Sequence, residues 1–294
     1  MSTDTPAAGG KGRLDLLHSL PFLSVHLACL LVIWAGVSWT AVGACILLHY
    51  ARAFGLTAGY HRFFAHKSYK TGRAFQFLLA VLGASAAQMG PLWWAGHHRI
   101  HHRYVDTDAD VHSPSQQGFW WAHVGWIVSD RYLHTNEAVI KDFARFPELR
   151  WLDRFHWVPP LLLAAGLYGL GAWLGAARPE LGTSGLQLLT WGFFISTVLL
   201  YHGTFFVNSL AHTWGTRRFN TRDTSRNNLL ITLLTFGEGW HNNHHRYPAS
   251  ERQGFYWWEL DPTHYLLKLF AWVGLVRELA VPPSAVYAEA AARR

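Results

Sequence analysis

Four histidines in six residues, His97-His98-Arg99-Ile100-His101-His102, make a density for which an apolar core has no use. On a helix His98, His101 and His102 stand at i, i+3 and i+4, so the three imidazoles share a face and can converge on a metal ion. The spacing recurs at His241, His244 and His245, and a looser pair, His61 and His66, brackets Arg62-Phe63-Phe64-Ala65. One such cluster is as often a surface patch as a ligand set, but three in one chain are a metal constellation. With His212 the candidate ligands are His61, His66, His98, His101, His102, His212, His241, His244 and His245, and Asn208, four residues before His212, is a tenth position that donates oxygen or holds a water. Nine imidazoles exceed the roughly four ligands of one zinc ion and suit two metal ions with open positions. Imidazole does not choose among zinc, copper, iron and nickel. Soluble carboxylate-bridged bundles use two Glu-x-x-His motifs, and only Glu238 to His241 has that spacing, which argues against that fold. Asp106 and Asp110 follow the second box and are expected to orient metal-bound rings or to cap the helix. His112 is a further candidate orienting group. His18, His26, His49, His123, His134, His156, His202 and His264 have no partner at helical spacing to the boxes and read as structural.

The elements that carry these residues are membrane helices. Of 294 residues 50% are hydrophobic and only 15% charged, against about 25% charged in soluble domains. No Asp, Glu, Lys or Arg occurs from Leu16 to Ala51, a run of 36 residues, and none from Leu181 to Thr216. One crossing needs ~20 apolar residues, so the first run holds nearly two spans with a turn near Gly36 to Trp39. Spans are expected at about 20–35, 40–59, 157–177 and 185–208, the second and fourth ending on candidate ligands. The uncharged stretch Ala74 to Gly96 is long enough to cross, yet a crossing would put the first two boxes on opposite sides of a ~30 Å apolar layer, so it is read as interfacial or re-entrant. A helix is expected around Thr135 to Phe146. Of the 25 Lys and Arg only Arg178 falls in a predicted outer loop, which by the positive-inside rule places both termini and all boxes on the cytoplasmic side of the cell's inner membrane. The expected fold is an all-α integral membrane protein, four transmembrane helices under a cytoplasmic helical cap that holds a histidine-rich dinuclear metal site. The expected organisation is a disordered tail over 1–15, a single domain over 16–281 and a C-terminal tail over 282–294. No small-x-small cleavage site follows the first apolar run, which reads as an uncleaved anchor. Cys29 and Cys45 lie inside spans, so neither a disulfide framework nor a thiolate metal site is expected. A net charge of +7 invites a nucleic-acid reading, but nucleic-acid binders do not set their basic residues between uncharged membrane-length runs.

As a set, HRFFAH (His61 to His66), HRIHH (His98 to His102), NSLAH (Asn208 to His212) and GEGWHNNHHRYP (Gly237 to Pro248) resemble the membrane fatty-acyl desaturases of the stearoyl-CoA or delta-9 type. The resemblance runs from the second span to Trp258. It implies two irons held by the nine histidines with Asn208 as the tenth position, ligands carried on the extended ends of spans two and four, and dioxygen as co-substrate. It further implies two electrons per turnover from a separate donor of ferredoxin, cytochrome b5 or flavoprotein reductase type. The product would be a cis double bond in a long-chain acyl-CoA, or alternatively in an acyl-lipid, with two waters. The chain departs from the pattern at His97, where the acyl-CoA enzymes carry an acidic residue, so His97 stays outside the ligand set. Unactivated methylenes are neither acidic nor polarised, so acid-base chemistry alone cannot remove their hydrogens. The position of the double bond would follow from holding the chain in a bent apolar tunnel. Candidate substrate contacts are His49, Arg52, Ala53, Trp94, Trp121 and Trp240, with His49 and Ala53 at the closed end. Arg52 has a second reading, as an arginine reaching the interface. Arg217, Arg218, Arg222 and Arg226 are read either as a site for CoA phosphates or an acidic electron donor, or as a contact to anionic lipid. A hydroxylase of an alkane, sterol or carotenoid remains the alternative enzyme. A haem protein would need paired histidines inside the bundle, and a transporter polar groups at mid-bilayer.

Overall fold

In the computed structural model residues 12–292 are described, so positions 1–11 of the expected N-terminal tail and the last two residues of the C-terminal one lie outside the described residues. Four helices are long and apolar enough to cross a membrane. These are α1 (Leu16–Ala35), α2 (Trp39–Ala65), α6 (Val158–Ala177) and α7 (Gly185–His212). Between α2 and α6 come α3 (Arg73–Ala84), α4 (Pro91–Tyr104) and α5 (Pro147–Arg154). After α7 come α8 (Leu229–Leu234), α9 (His241–Arg246), α10 (Pro262–Trp272) and α11 (Ser284–Ala291). A two-residue antiparallel pairing, Lys70 opposite Arg277 and Thr71 opposite Val276, ties the exit of α2 to the segment after α10. The protein is all-α and membrane-integral, with the polar helices gathered as a cap over one end of the four spans.

Sequence explains the ends of these helices. Ser38 starts α2 by accepting the N–H of Ala41 at 3.1 Å, and its own hydroxyl donates to Gln187 Oε1 at 2.5 Å, tying the turn to the start of α7. Pro91 opens α4, where a missing N–H costs nothing, and the free N–H groups of Leu92 and Trp93 both donate to Asp153 Oδ1 at 2.9 Å. The histidine-bearing helix is therefore anchored at its start by a carboxylate from α5.

The stretch Ala74 to Gly96 does not form one continuous helix: α3 ends at Ala84, and a turn leads into α4 at Pro91. α3 packs along the end of α2 so closely that a Cβ on Gly55 would lie 2.6 Å from the Gly83 nitrogen, and one on Gly83 2.4 Å from the Tyr60 ring. The turn between α3 and α4 is buried, and side chains from two spans satisfy its backbone: Arg52 binds Ser85 O, Tyr201 binds Ala87 O at 2.8 Å and Tyr60 binds Met89 O at 3.1 Å. Buried backbone outside a helix needs such partners for its carbonyls. Ala87 and Met89 in this turn have positive φ, +57° and +65°.

Two expectations need correction. Only Lys141–Ala144 is helical in the stretch Thr135 to Phe146, and the longer helix is α5, which begins at Pro147 and buries Leu149 and Leu152. Proline disfavours helical backbone at the residue before it, so Phe146 ends one element and Pro147 starts the next. The C-terminal stretch read as a tail carries α11, whose Val286 and Ala290, four residues apart, pack on Phe219 and Phe255.

Candidate metal centre

The end of α2 is wound more widely than an α-helix. From Gly55 to Ala65 it has π geometry, and His66 N–H bonds back to His61 O, five residues earlier. This winding brings residues five apart onto one side, and the His61 and His66 ring centroids lie 4.8 Å apart. Both rings meet those of α4 and α9. His61, His66, His98, His102 and His244 form one group of ligand atoms within 4.8 Å of one another, and His101, His212, His241 and His245 form a second. All nine candidate histidines are thus assembled into two metal-sized clusters.

Neither triplet serves one ion. α4 gives His98 and His102 to the five-histidine cluster and His101 to the other, while α9 gives His241 and His245 to the four-histidine cluster and His244 to the first. At ~100° per residue the i+3 and i+4 side chains fall on opposite sides of residue i, so a helix end wedged between two positions divides its rings.

The Nε2 atoms face inward. His61 and His244 Nε2 are 3.1 Å apart, His66 and His98 3.0 Å, His102 and His244 3.0 Å, and His212 and His241 3.0 Å. Behind several rings, acceptors hold the Nδ1 proton: Glu238 lies 2.5 Å from His61 Nδ1, Asp110 2.8 Å from His101 Nδ1 and Asp223 3.1 Å from His245 Nδ1. His212 Nδ1 contacts Thr224 Oγ1 at 3.2 Å, and that hydroxyl donates to Asp106 Oδ2 at 2.8 Å. With Nδ1 protonated, each Nε2 presents a bare lone pair, and His101 and His245 Nε2 are buried without any partner. Inward lone pairs at 3 Å repel one another unless a cation lies among them. The donor set fits two metal ions.

Electrostatics keeps the donors ready. Burial, then mutual repulsion among the rings, holds His66, His98, His102, His241 and His244 well below the ordinary imidazole range, so they are neutral at pH 7. Burial also lowers His245, to about 4. His101 differs: burial lowers it, but Asp110 outweighs burial and its proton affinity is raised. Burial would raise the Asp110 carboxyl, yet His101 and His112 pull it down to about 2.

Two cavities adjoin the centre. The larger, about 780 Å³, runs from Leu17, Pro21 and Val25 of α1 and Leu161 of α6, past Phe193, Tyr201 and Phe205 of α7, to His97, His98, His112 and Asn208. The smaller, about 40 Å³, lies between α2 and α7 and is lined by Ala53, Leu56, Thr57, His61, Leu200, Val207, Thr235 and His241 among others. Trp94, His98, Thr204 and Asn208 line both, so the passages meet beside the five-histidine cluster.

The remaining candidates are dispersed. Asn208 faces the junction of the cavities, Trp94 lines both, and Ala53 lines the narrow one. His49, Arg52, Trp121 and Trp240 line neither. His49 Nε2 bonds Leu234 O at 2.9 Å, Trp121 Nε1 donates to Val111 O at 3.2 Å and Trp240 Nε1 to Leu260 O at 2.8 Å. Arg52 is 1% exposed and does not reach the interface. His97 donates through Nδ1 to Trp93 O at 2.8 Å, and His112 stacks on His101 at 4.3 Å. Arg218 pairs with Glu259, Arg217 binds the carbonyls of Thr221 and Asp223, and Arg226 binds Gly215 O, so three of the four expected basic contacts are engaged within the chain. Sequence reading missed Asp223 and Thr224 altogether, because they reach the centre from a loop without periodicity.

Residues 37–275 match the family model described as "Fatty acid desaturase". The chain belongs to the fatty acid desaturase family. The desaturase is 37% identical over 284 residues to the sn-2 palmitoyl-lipid 9-desaturase of Nostoc sp. (strain 36), covering 95% of this chain and 94% of that one. It is 36% identical over 274 residues to the sn-1 stearoyl-lipid 9-desaturase of Anabaena variabilis, with 92% and 96% covered. Its identity to the acyl-CoA C20 Delta5-desaturase of Anemone leveillei is 36% over 275 residues, with 91% and 82% covered.

Proposed function

We propose that this desaturase is a dioxygen-dependent diiron enzyme that places a cis double bond at the ninth carbon of a long saturated acyl chain carried by a membrane lipid. The observation that supports the lipid carrier is the larger cavity. Its outer lining, Leu17 and Leu161, is 79% and 58% exposed on the apolar flank of the spans, and its inner end is His98 and Asn208. A glycerolipid keeps its second chain in the bilayer, so its reacting chain needs such a sideways entrance. An acyl-CoA reading rests on the Anemone relative's name and on cap cations for the phosphates, most of which are already bonded within the chain.

The nine histidines would hold the metals, five rings on one ion and four on the other, with Asn208 beside them at the bend. A bound iron pair supplies, with dioxygen and two external electrons, the oxidising power to take two hydrogens from unactivated methylenes. This chain's own residues do the rest. Leu56, Leu200 and Val207 hold the far end of the acyl chain in the narrow cavity, and Trp94 and Thr204 line the bend that brings one carbon pair to the centre. Dense aromatic packing of Trp93, Trp126 and His97 excludes water from the cap side of that bend. Carboxylates behind His61, His101 and His245 hold the Nδ1 protons, so Nε2 stays free for metal.

The excess of Lys and Arg on the cap side supports a cytoplasmic cap in the inner membrane, where a separate reduced donor of ferredoxin, cytochrome b5 or flavoprotein type would deliver electrons. Purified desaturase in vesicles, given a reducing system and either isotope-labelled disaturated phospholipid or labelled acyl-CoA without acyltransferase, tests the carrier. The expected result is a new double bond within intact phospholipid, located by mass spectrometry at the ninth carbon. Desaturation of the thioester alone overturns the lipid carrier, and a hydroxylated chain in place of an alkene overturns desaturation.

A further inference from the structure

The two clusters differ in what stands behind their rings. In the five-histidine cluster one carboxylate, Glu238, backs His61, and it is shared: Arg62 Nη2 lies 3.3 Å from its Oε1. In the four-histidine cluster three carboxylates stand behind three of four rings, Asp110 on His101, Asp223 on His245, and Asp106 on His212 through Thr224. Asp110 is fully buried and Asp223 nearly so.

No Lys or Arg among the described residues forms an ion pair with any of these three carboxylates. Asp110 accepts the backbone N–H groups of Asp106 at 2.8 Å and His112 at 3.3 Å, and Asp223 accepts that of Ser225 at 2.9 Å. Arg217 approaches Asp223 only at its backbone carbonyl, 2.8 Å away. One position thus has four rings backed by three carboxylates that no Lys or Arg pairs, and the other has five rings backed by one carboxylate that an arginine offsets. Carboxylate–imidazole pairs make stronger donors, and in a dry interior uncompensated charge acts on a nearby cation with little screening.

We propose that the two metal positions are unequal by construction: the four-histidine position fills first and holds ferric iron more tightly, and Asp110 and Asp223 are the positioning residues responsible. This builds on the diiron reading. The ring count alone predicts the reverse order, because the five-histidine position has the extra ligand.

Anaerobic titration of the metal-free full-length protein with ferrous iron, followed by Mössbauer spectroscopy and iron analysis, tests this without turnover. Signals are assigned with His66→Ala, which removes a ring from the five-histidine position, and His241→Ala, which removes one from the other. At one equivalent the wild-type spectrum should show mainly the four-histidine environment, and partial oxidation of the fully loaded protein should place ferric iron there. Asp110→Asn and Asp223→Asn keep shape and an acceptor oxygen but remove charge, and each should weaken that position ~10-fold or more. Glu238→Gln should weaken only the other. Even filling of both environments at one equivalent in the wild type overturns the proposal whether or not the variants fold, and leaves the diiron reading standing. Uptake that stops at one iron per chain overturns both.

Discussion

Arg52 of α2 donates through Nη1 to Thr197 Oγ1 of α7 at 2.7 Å, and through Nη2 to Ser196 Oγ at 2.5 Å. Both acceptors sit just past the wide turn at Leu189–Ile195, whose winding sets the direction of the helix that follows. The same guanidinium binds Ser85 O, at the C-terminal end of α3 where the helix dipole is negative. A buried cation without a carboxylate is thereby accommodated by three elements that it holds together.

Arg52→Met should therefore destabilise the protein by about 2 kcal/mol or more, since it leaves buried acceptors unpaired, and Arg52→Lys should lie between. Thermal unfolding in detergent measures this. Product chain length and double-bond position should not change in Arg52→Lys; a shifted profile at unchanged stability would return Arg52 to the substrate site.

His101 and His244 belong to different clusters although each is the i+3 member of its triplet. Changing either to alanine should abolish product while the protein still inserts, with bound iron falling toward one per chain. Full activity in either variant would refute its role as a ligand.

Chain length should respond to Ala53, which lines the narrow cavity, and not to His49, whose ring is turned to Leu234 O. Ala53→Leu fills space in a cavity of about 40 Å³ and should lower activity on the longest accepted chain ~10-fold or more, moving products toward shorter chains. His49→Ala should leave the profile unchanged. Gas chromatography of the products decides between the two positions.

Asp142 grips Arg99 in a bidentate pair at 2.8 and 3.0 Å, and Arg99 also binds the carbonyls of Phe64 and Ala65 at the end of α2. Burial raises the Asp142 carboxyl, but Arg99 and Lys67 outweigh it and the net shift is downward. A depressed carboxyl binds fewer protons folded than unfolded, so its stabilisation is complete above the ordinary carboxylate value of about 4 and is lost as pH falls below that. The side chain is one-third exposed, so Asp142→Asn should cost only about 1 kcal/mol and flatten the acid limb of a stability-against-pH curve. An unchanged acid limb would show that the pair does not hold the cap to α2.

Much of this was legible before any fold. Uncharged runs measure the spans directly, because lipid tolerates neither charge nor unpaired backbone, and i, i+3, i+4 histidines are a local signal that any helix displays. That Ala74 to Gly96 does not carry the first two boxes apart also came from sequence, through the requirement that distant boxes share a site, and His61 and His66 do meet His98 and His102. Local periodicity reported nothing about α11 beyond two apolar positions, or about Asp223, which acts from a loop.

The residue types and spacing of this chain determine that it is a four-span helical membrane protein with nine histidines able to bind metal, since span length and ring spacing are properties of one helix at a time. Only the tertiary structure decides how the rings are divided five and four, which carboxylates stand behind them, and that Arg52 is a tie between helices. Each of those depends on where separate helix ends meet, and that is set by packing between elements far apart in the chain.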